Sequence, residues 1–304
     1  MKFPLSKYIW FDGKLVPVNM AKVPVTTHAI HYGTSIFEGI RAYWNSNLYV
    51  FRLKDHVKRF RNSGKFYNIK LNFSDRQIEN AVIDLCKKNK IRKSCYIRPF
   101  YFVGQYGINF HVTQKAPTHT AIFAFPFGDL FNKSGITATI SKWRKFSDMS
   151  TPTQAKMGGN YLNSILATQD AKQRGFDEAI LLDQSGNVSE APGENIFLVK
   201  NNKLVTPSLS SSALDGITRR SIITLAKDMK LKIKTQKVSK KELKMADEIF
   251  LSGTAAEITP VIKIDKKKIG EGKVGNITKL FMDTYSNIVM NKSENYSHWL
   301  TAVY

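Results

Sequence analysis

The sequence TQAKMGGNYLNSILATQDA occupies residues 153–171 and combines an isolated lysine, a glycine pair and a helix-forming run. The run has apolar residues at helical spacing, namely Leu162, Ile165 and Leu166. Gly158 and Gly159 lack Cβ atoms, so the backbone there can turn sharply or approach a bound group closely. A lysine held at position 156 would be partly desolvated, which lowers its pKa and makes its neutral amine a nucleophile. In a chain so rich in lysine, a solvated surface charge is the alternative for Lys156.

The size and composition of the chain indicate a globular protein with a large core. A length of 304 residues predicts two domains, and 42% hydrophobic with 23% charged residues is typical of soluble proteins. The N-terminal sequence MKFPLSKYIWFDGK has no continuous apolar segment and no small-residue cleavage site, so export is not expected. Cys86 and Cys95 are too few for a disulfide framework, which favours a cytoplasmic location.

The net charge of +22 allows two interpretations. A basic nucleic-acid-binding protein is one of them, but the lysines are spread along the whole chain, and RNA-recognition and metal-finger patterns are missing. A lysine-rich surface is the favoured interpretation, with neither a nucleic-acid nor a membrane partner.

Hydrophobic periodicity and turn signals predict alternating strands and helices. Asp12-Gly13 marks a hairpin turn within 8–18, and Ser74 is a helix N-cap. A segment without regular structure, 128–135, is predicted to link two domains. The other strands are predicted at 48–51, 95–103, 121–127, 136–140, 178–183, 195–199, 203–206, 247–251 and 258–264. The helices are predicted at 53–66, 74–88, 160–173, 217–229 and 277–290.

Arg98 lies inside the predicted strand 95–103, where burial penalises a charge unless it meets an anion. This position makes Arg98 a candidate site residue. His28 and His31 invite a metal interpretation, but no third ligand follows at a recognisable spacing. No metal site is therefore predicted, and both histidines are expected to be structural or to line a pocket.

Four stretches of the second half carry polar groups in apolar or glycine-rich surroundings: AKMGGNY (155–161), SEAPGEN (189–195), SSALDGITRR (211–220) and LSGTAAEITP (251–260). The third enters a helix at Gly216, and a helix N-terminus beside the Thr218 hydroxyl can bind phosphate. One carboxylate of the second stretch, Glu190 or Glu194, can keep a cationic ring nitrogen protonated. A nucleophilic lysine, a phosphate site and a carboxylate are the parts that a pyridoxal-phosphate enzyme needs.

With HAIHYGTSIFEGIR (28–41) and YIRP (96–99) placed before them, these stretches follow one order that identifies a family. The chain resembles the fold-type IV, class IV pyridoxal-phosphate-dependent aminotransferases, and within them the branched-chain amino acid aminotransferases. The resemblance implies an α+β or α/β protein of two domains with the cofactor at their interface. These are a small N-terminal α/β domain (1–127), an interdomain loop (128–137) and a larger C-terminal pseudo-barrel domain that binds the cofactor (138–304).

The resemblance also implies a role for each cofactor-binding residue. Lys156 would be the catalytic residue, forming the Schiff base with pyridoxal 5′-phosphate and moving the substrate proton. Glu190 would pair with the pyridine nitrogen, and Tyr161 would hydrogen-bond the phenolic oxygen. The phosphate would be held by Arg59, Ile217 (through its backbone amide), Thr218 and Thr254.

On the substrate side, the resemblance implies a wall that encloses a branched aliphatic side chain. Arg98 would bind the distal carboxylate of glutamate or 2-oxoglutarate, and the turn Thr254-Ala255 would receive the α-carboxylate. The remaining wall residues would be Tyr32, Phe37, Gly39 and Tyr96. Departures from the family pattern occur at Pro192, Asp215 and Leu130.

The implied reaction is transamination of leucine, isoleucine or valine with 2-oxoglutarate, by a ping-pong mechanism, in a homodimer or a larger homo-oligomer such as a hexamer. A D-amino acid aminotransferase and an aminodeoxychorismate lyase of the same fold are the alternatives. The Tyr96-x-Arg98 pair and the sequence FEGIR (37–41) argue against both.

Overall fold

The computed structural model describes residues 6–304. Residues 1–5, which begin both the predicted first domain and the N-terminal sequence considered for export, lie outside the described residues. Two compact units are present: unit 1 contains residues 6–128, 155–159 and 287–304, and unit 2 contains residues 129–154 and 160–286. Within residues 6–304, no helix has the length and apolar character that crossing a membrane requires.

Strands and helices alternate along the chain, as the sequence predicts. The strands are β1 Tyr8–Phe11, β2 Lys14–Pro17, β3 Ser35–Phe37, β4 Ile40–Asn45, β5 Asn47–Phe51, β6 Cys95–Val103, β7 Thr118–Pro126, β8 Ile136–Arg144, β9 Glu178–Leu182, β10 Asn195–Lys200, β11 Lys203–Pro207, β12 Ile233–Gln236, β13 Glu248–Gly253, β14 Glu257–Ile264, β15 Lys267–Lys268 and β16 Leu300–Ala302. The α-helices are α1 His28–Tyr32, α2 Leu53–Lys65, α3 Asp75–Lys88, α4 Tyr161–Gln173, α5 Ile217–Asp228, α6 Lys240–Lys244 and α7 Asn276–Val289.

Unit 1 is built on an antiparallel sheet in the order β16-β5-β4-β6-β7-β1-β2, with β3 added beside β6. The predicted hairpin is confirmed, and its turn residues Asp12 and Gly13 both have positive φ. Helices α2 and α3 bury apolar residues in one core with β6. In this core the rings of Phe60 and Tyr101 meet edge-on, with their centres 4.8 Å apart.

Side chains alternate along β6, so one face of the sheet carries the core of unit 1 and the other carries Arg98 among aromatic rings such as Phe100 and Phe123. Ile97 and Tyr101 are fully buried in the core cluster. Tyr96 and Arg98 project from the opposite face of the sheet, where Arg98 is only partly buried. A charged residue is tolerated in this long central strand because its side chain points away from the apolar core.

Unit 2 contains a mixed sheet in the order β12-β11-β10-β13-β14-β8-β9, with β15 added beside β14. Helix α4 confirms the predicted helix, but Leu162, Ile165 and Leu166 lie on its exposed face. The buried face carries Ala167 and Ala171, which pack with Ala179 and Leu181 of β9. Small side chains allow this helix to lie close to the sheet.

The two-domain α+β organisation is confirmed, but the predicted course of the chain needs correction. The N-terminal unit runs to Gly128, one residue beyond the predicted boundary, and the predicted loop 128–137 is shortened because β8 begins at Ile136. Residues 287–304, predicted to belong to the C-terminal domain, belong to unit 1 because β16 pairs with β5, Leu300 opposite Phe51. The segment 155–159 belongs to unit 1 as well.

The N-terminus of α3 provides a test of local stability. Ser74 accepts the N–H of Gln77, while the Gln77 side chain accepts the N–H of Ser74 at 2.8 Å, which forms a complete capping box. We expect Ser74→Ala to lower the free energy of unfolding by about 1 kcal/mol, because the first turn loses this acceptor. Urea unfolding followed by tryptophan fluorescence measures the change, since Trp10, Trp44 and Trp299 all lie in unit 1.

Ser293→Ala is the matched control for this prediction, because Ser293 precedes a 3₁₀ helix without making a side-chain cap hydrogen bond. Equal stability losses in the two variants would contradict the capping role of Ser74.

Candidate active site

The segment that contains Lys156 is fixed to unit 1 by backbone hydrogen bonds on both sides of the lysine. The Lys156 N–H donates to the Ser63 hydroxyl of α2 at 3.0 Å. The Lys156 carbonyl accepts the N–H of Phe37 at 3.1 Å, and the Gly159 N–H donates to the Gly33 carbonyl at 3.2 Å. Lys156 is therefore positioned by its main chain, whatever the conformation of its side chain.

The glycine pair permits close packing of this segment against the turn before β3. Gly33 has a φ of 65°, and a Cβ atom on it would lie 2.9 Å from the Gly159 Cα. A Cβ atom on Gly158 would lie 2.3 Å from the Ser35 hydroxyl oxygen. The groups that come close to Gly158-Gly159 are therefore the Gly33 backbone and the Ser35 hydroxyl of the protein itself, whereas the sequence predicted a bound group there.

The charge environment of Lys156 agrees with the predicted nucleophile. Burial, together with the nearby cation Arg59, lowers the pKa of Lys156 from its ordinary value of 10.5 to about 8, against the opposing effect of Glu38. The Lys156 Nζ atom lies 4.8 Å from the centre of the Phe37 ring. A substantial fraction of this amine is consequently neutral near pH 8.

Arg59, a predicted phosphate ligand, belongs to a charged network centred on Glu38. Glu38 is fully buried, and its carboxylate accepts Arg59 Nε at 2.6 Å and Arg59 Nη2 at 2.9 Å. His56 Nδ1 lies 2.8 Å from the same carboxylate. Burial lowers the pKa of His56, so a neutral imidazole donates this hydrogen bond.

Arg98 lies with Phe37 and Tyr96 of the predicted wall, on the face of the unit 1 sheet opposite its apolar core. The Arg98 guanidinium carbon is 4.7 Å from the centre of the Phe37 ring, and Arg98 Nη2 donates to the Tyr96 hydroxyl at 3.2 Å. Within the described residues, the buried Nε atom of Arg98 has no hydrogen-bond partner. A Cβ atom on Gly39 would lie 1.8 Å from the Tyr96 hydroxyl oxygen, so only glycine at position 39 allows the Tyr96 ring to stay in place.

Tyr32 stands apart from this group, because its ring contacts are with His28 and Phe110, at 4.6 and 5.1 Å. His28 is buried and uses both ring nitrogens, on the Thr34 hydroxyl and the Asn109 carbonyl. His31 reaches the Val25 carbonyl. Among residues 6–304 no group of histidine, cysteine and acidic side chains is arranged to hold a metal ion.

In unit 2, Glu190 is a buried carboxylate with a partner on each oxygen. Lys145 Nζ lies 2.7 Å from Oε1, and both side chains are less than a tenth exposed. Oε2 accepts the Asn195 side-chain amide at 3.1 Å and the Leu214 N–H at 2.9 Å. The carboxylate is consequently fixed in position by groups from three segments of unit 2.

The predicted phosphate-binding residues Ile217 and Thr218 follow the segment whose Leu214 N–H donates to Glu190. Helix α5 begins with Ile217 and Thr218, both buried, after Gly216, whose Cβ atom would lie 2.0 Å from the Asn195 side-chain oxygen. The first turn of a helix has N–H groups without acceptors inside the helix, and these groups favour an anion.

The turn that holds Thr254 and Ala255 lies against the loop that follows Glu190. Gly253 approaches the Gly193 carbonyl so closely that a Cβ atom on Gly253 would lie 3.1 Å from the carbonyl oxygen.

Tyr161, the predicted partner of the phenolic oxygen, is the partly buried first residue of α4.

Comparison with known proteins shows the family of the chain. A profile of the family described as amino-transferase class IV matches residues 35–264, most of the chain. The chain belongs to the class IV aminotransferases. A probable branched-chain-amino-acid aminotransferase of Aquifex aeolicus is 42% identical over 302 residues, which is 98% of this chain and 97% of that protein. Within class IV, the chain therefore belongs to the branched-chain-amino-acid aminotransferases.

Solved structures of this family share the whole fold. The branched-chain aminotransferase of Thermoproteus uzoniensis, solved with norvaline, is 41% identical with a TM-score of 0.95 and covers 98% of this chain and 100% of its own. The T.th. branched-chain amino acid aminotransferase, complexed with N-(5′-phosphopyridoxyl)-L-glutamate, is 39% identical with a TM-score of 0.95. It covers 98% of this chain and 99% of its own.

Sequence reasoning missed four polar residues of the site, namely Glu38, His56, Ser63 and Lys145. His56, Arg59 and Ser63 are spaced three and four residues apart, so they share one face of α2 and offered a signal for this polar face. Lys145 offered none, because it lies in a sequence that is rich in lysine throughout.

The departures from the family pattern have local partners or lie at the surface. The Pro192 carbonyl accepts the Ser164 hydroxyl at 2.7 Å. The Asp215 carboxylate lies 3.5 Å from Arg219, and Leu130 is exposed.

The lowered pKa of Lys156 can be measured directly. In cofactor-free protein we expect labelling of Lys156 by acetic anhydride, followed by mass spectrometry, to rise with a midpoint near pH 8. Only the neutral amine reacts, and burial disfavours the charged form. The exposed Lys279 supplies an internal reference for the reagent. A midpoint near 10.5, the ordinary value, would contradict this charge environment.

Proposed function

We propose that this aminotransferase uses pyridoxal 5′-phosphate to transfer the amino group of leucine, isoleucine or valine to 2-oxoglutarate. The products are branched 2-oxo acids and L-glutamate, and the two substrates bind in turn to the same residues. The observation that carries the proposal is the placement of Lys156, with its lowered pKa, in the same unit as the Arg98 and Phe37 wall. The norvaline and phosphopyridoxyl-glutamate complexes of the relatives support it.

The residues of the chain fit this cofactor chemically. Unit 1 offers an amine of lowered pKa and the Arg59 guanidinium, and unit 2 offers the α5 N-terminus and the buried Glu190 carboxylate. We propose that the phosphate is held by Arg59, Ile217, Thr218 and Thr254. Tyr161 would hydrogen-bond the phenolic oxygen of the cofactor, and Glu190 would accept a hydrogen bond from its protonated ring nitrogen.

When bound, pyridoxal phosphate supplies an aldehyde that captures amino groups and a cationic ring that accepts electrons from the substrate Cα. Lys156 would hold the cofactor by its Nζ atom, and its amine would move a proton between the substrate Cα and the carbon of the cofactor aldehyde. An amine with a pKa of about 8 suits both directions of this transfer, because it gains and loses a proton at a small cost near neutral pH. Lys145 and Asn195 hold the Glu190 carboxylate in place throughout.

The substrate wall can accept both an apolar and an acidic side chain. Phe37 and Tyr96 offer aromatic surface to a branched aliphatic group, while the partnerless Nε of Arg98 offers a hydrogen bond to a distal carboxylate. The turn Thr254-Ala255 would receive the α-carboxylate common to all substrates.

We also propose that the chain forms a homodimer or a larger homo-oligomer in the cytoplasm. Its exposed apolar side chains support self-association, since they include Leu162 and Ile165 of α4, and Ile108 and Phe110 near the exposed Tyr32. The cysteines Cys86 and Cys95 are free and buried, which suits a reducing compartment.

The proposed cofactor, nucleophile and donor can be tested together by visible absorbance. The wild-type protein should show the yellow band of lysine-bound pyridoxal phosphate and lose it on addition of L-leucine. Lys156→Ala should give no such conversion, because the amine that binds the aldehyde and moves the proton is missing. D-leucine is the control for the D-amino acid alternative. A protein that stays colourless with added pyridoxal phosphate would sink the proposal.

Arg98→Met should separate the two substrate classes. We expect the KM for 2-oxoglutarate to rise about 10- to 100-fold, since a hydrogen-bonded charge on the distal carboxylate is lost. The KM for L-leucine should change less than about threefold, because methionine keeps the wall apolar. Steady-state kinetics with each substrate varied measures both values, and equal changes for both substrates would contradict the role of Arg98.

A further inference from the structure

Glu38 is a buried acid to which the proposed mechanism gives no task. Its side chain has no exposed area, and its partners are Arg59, His56 and, at 3.3 Å, the N–H of Gly39. An acid so completely withdrawn from water is costly unless its charge is matched and its oxygens are hydrogen-bonded. Both conditions are met here by Arg59 and His56.

We infer that Glu38 is a positioning residue for the phosphate group of the cofactor, acting by holding the Arg59 guanidinium in the orientation that binds phosphate. The inference rests on the proposed function, because it assigns Glu38 a role toward the same cofactor. Glu38 itself touches neither the cofactor nor the substrate in this assignment.

The geometry of the pair is bidentate. Arg59 directs Nε to one carboxylate oxygen, at 2.6 Å, and Nη2 to the other, at 2.9 Å. A guanidinium is planar, so two bonds along its Nε–Nη2 edge fix both its plane and the direction of the remaining nitrogen, Nη1. An arginine without this partner would sample many rotamers, and an anion would have to order it on binding.

Glu38 is itself prevented from rotating. Oε2 accepts from Arg59 and lies 2.8 Å from His56 Nδ1, while Oε1 accepts from Arg59 Nε. His56 and Arg59 lie one helical turn apart on α2, so this helix supplies the arginine and also the residue that orients its acid. A backbone bond from Gly39 adds a third direction.

The charges of the network also support a positioning role for Glu38. Burial opposes ionisation of Glu38, yet Arg59 and His56 hold its pKa well below the ordinary value. The acid therefore stays ionised at any pH at which the protein works. It balances the charge of Arg59 before a phosphate arrives, and its burial prevents water from taking its place beside the guanidinium.

The test compares affinity for pyridoxal 5′-phosphate with affinity for pyridoxal, which lacks the phosphate, in the full-length apoprotein by equilibrium dialysis. Free pyridoxal also forms a cyclic hemiacetal, which lowers its affinity equally for every variant, so the change in the affinity ratio between variants isolates the contribution of the phosphate. For Glu38→Gln we expect the Kd for pyridoxal phosphate to rise about tenfold or more. The Kd for pyridoxal should stay within about twofold of the wild-type value.

A shorter acid tests the geometry of the pair. Glu38→Asp retains the buried charge but shortens the side chain, so it protects the fold while breaking the bidentate geometry, and its affinity ratio should also fall.

A double variant and a control complete the test. In an Arg59→Met background, Glu38→Gln should produce no additional loss of the ratio, since the two residues act as one unit. Glu178→Gln, which alters another buried acid, in unit 2, is the matched control and should keep the wild-type ratio.

The outcomes separate this inference from the proposed function. Wild-type protein that binds neither ligand would overturn the cofactor assignment itself. Wild-type protein that prefers the phosphate ester, together with Glu38 variants that keep this preference or that lose both ligands equally, would overturn the positioning role alone. Selective loss of the phosphate ester in both Glu38 variants, without further loss in the Arg59→Met background, would establish it.

Discussion

The negative charge of Glu38 is the constraint on which the polar region of unit 1 depends, because Arg59 and Lys156 place two cations near it. Each of these cations destabilises the charged form of the other, and burial also favours the neutral form of Lys156. Glu38 offsets this repulsion from a position without solvent access. Its own desolvation is offset by two hydrogen-bonded partners on α2, so the helix, the acid and the lysine segment form one interdependent arrangement.

Unit 2 uses the same chemistry with the roles reversed. Here the acid, Glu190, is the working group of the proposed mechanism, and the cation, Lys145, supports it. Buried ion pairs contribute little to stability, since the desolvation of two charges offsets their attraction. Their presence in each unit therefore argues for function: under the proposed mechanism, both pairs fix the direction of a charged group that meets the cofactor.

Local sequence patterns predicted most of the elements because their causes are local. The hairpin at Asp12-Gly13, the capped helix after Ser74 and the strand that holds Arg98 all follow from neighbouring residues. Long-range features were not predictable in this way. The pairing of β16 with β5 joins residues far apart in sequence, and no local signal marks it. The orientation of α4 was equally hidden, because alanines formed its buried face and left Leu162 and Ile165 exposed.

The site shows the same division between local signals and chemistry made by folding. Long motifs marked the loops that carry Lys156, Glu190 and Thr218, but Lys145 was invisible among so many lysines. Lys145 matters because its side chain is buried, with less than a tenth of it exposed. The composition of the chain does not reveal which lysines are buried. The net charge of +22 therefore describes mainly the surface, where lysines are hydrated and screened. The proposed chemistry depends on two lysines, Lys145 as the partner of an acid and Lys156 as the nucleophile.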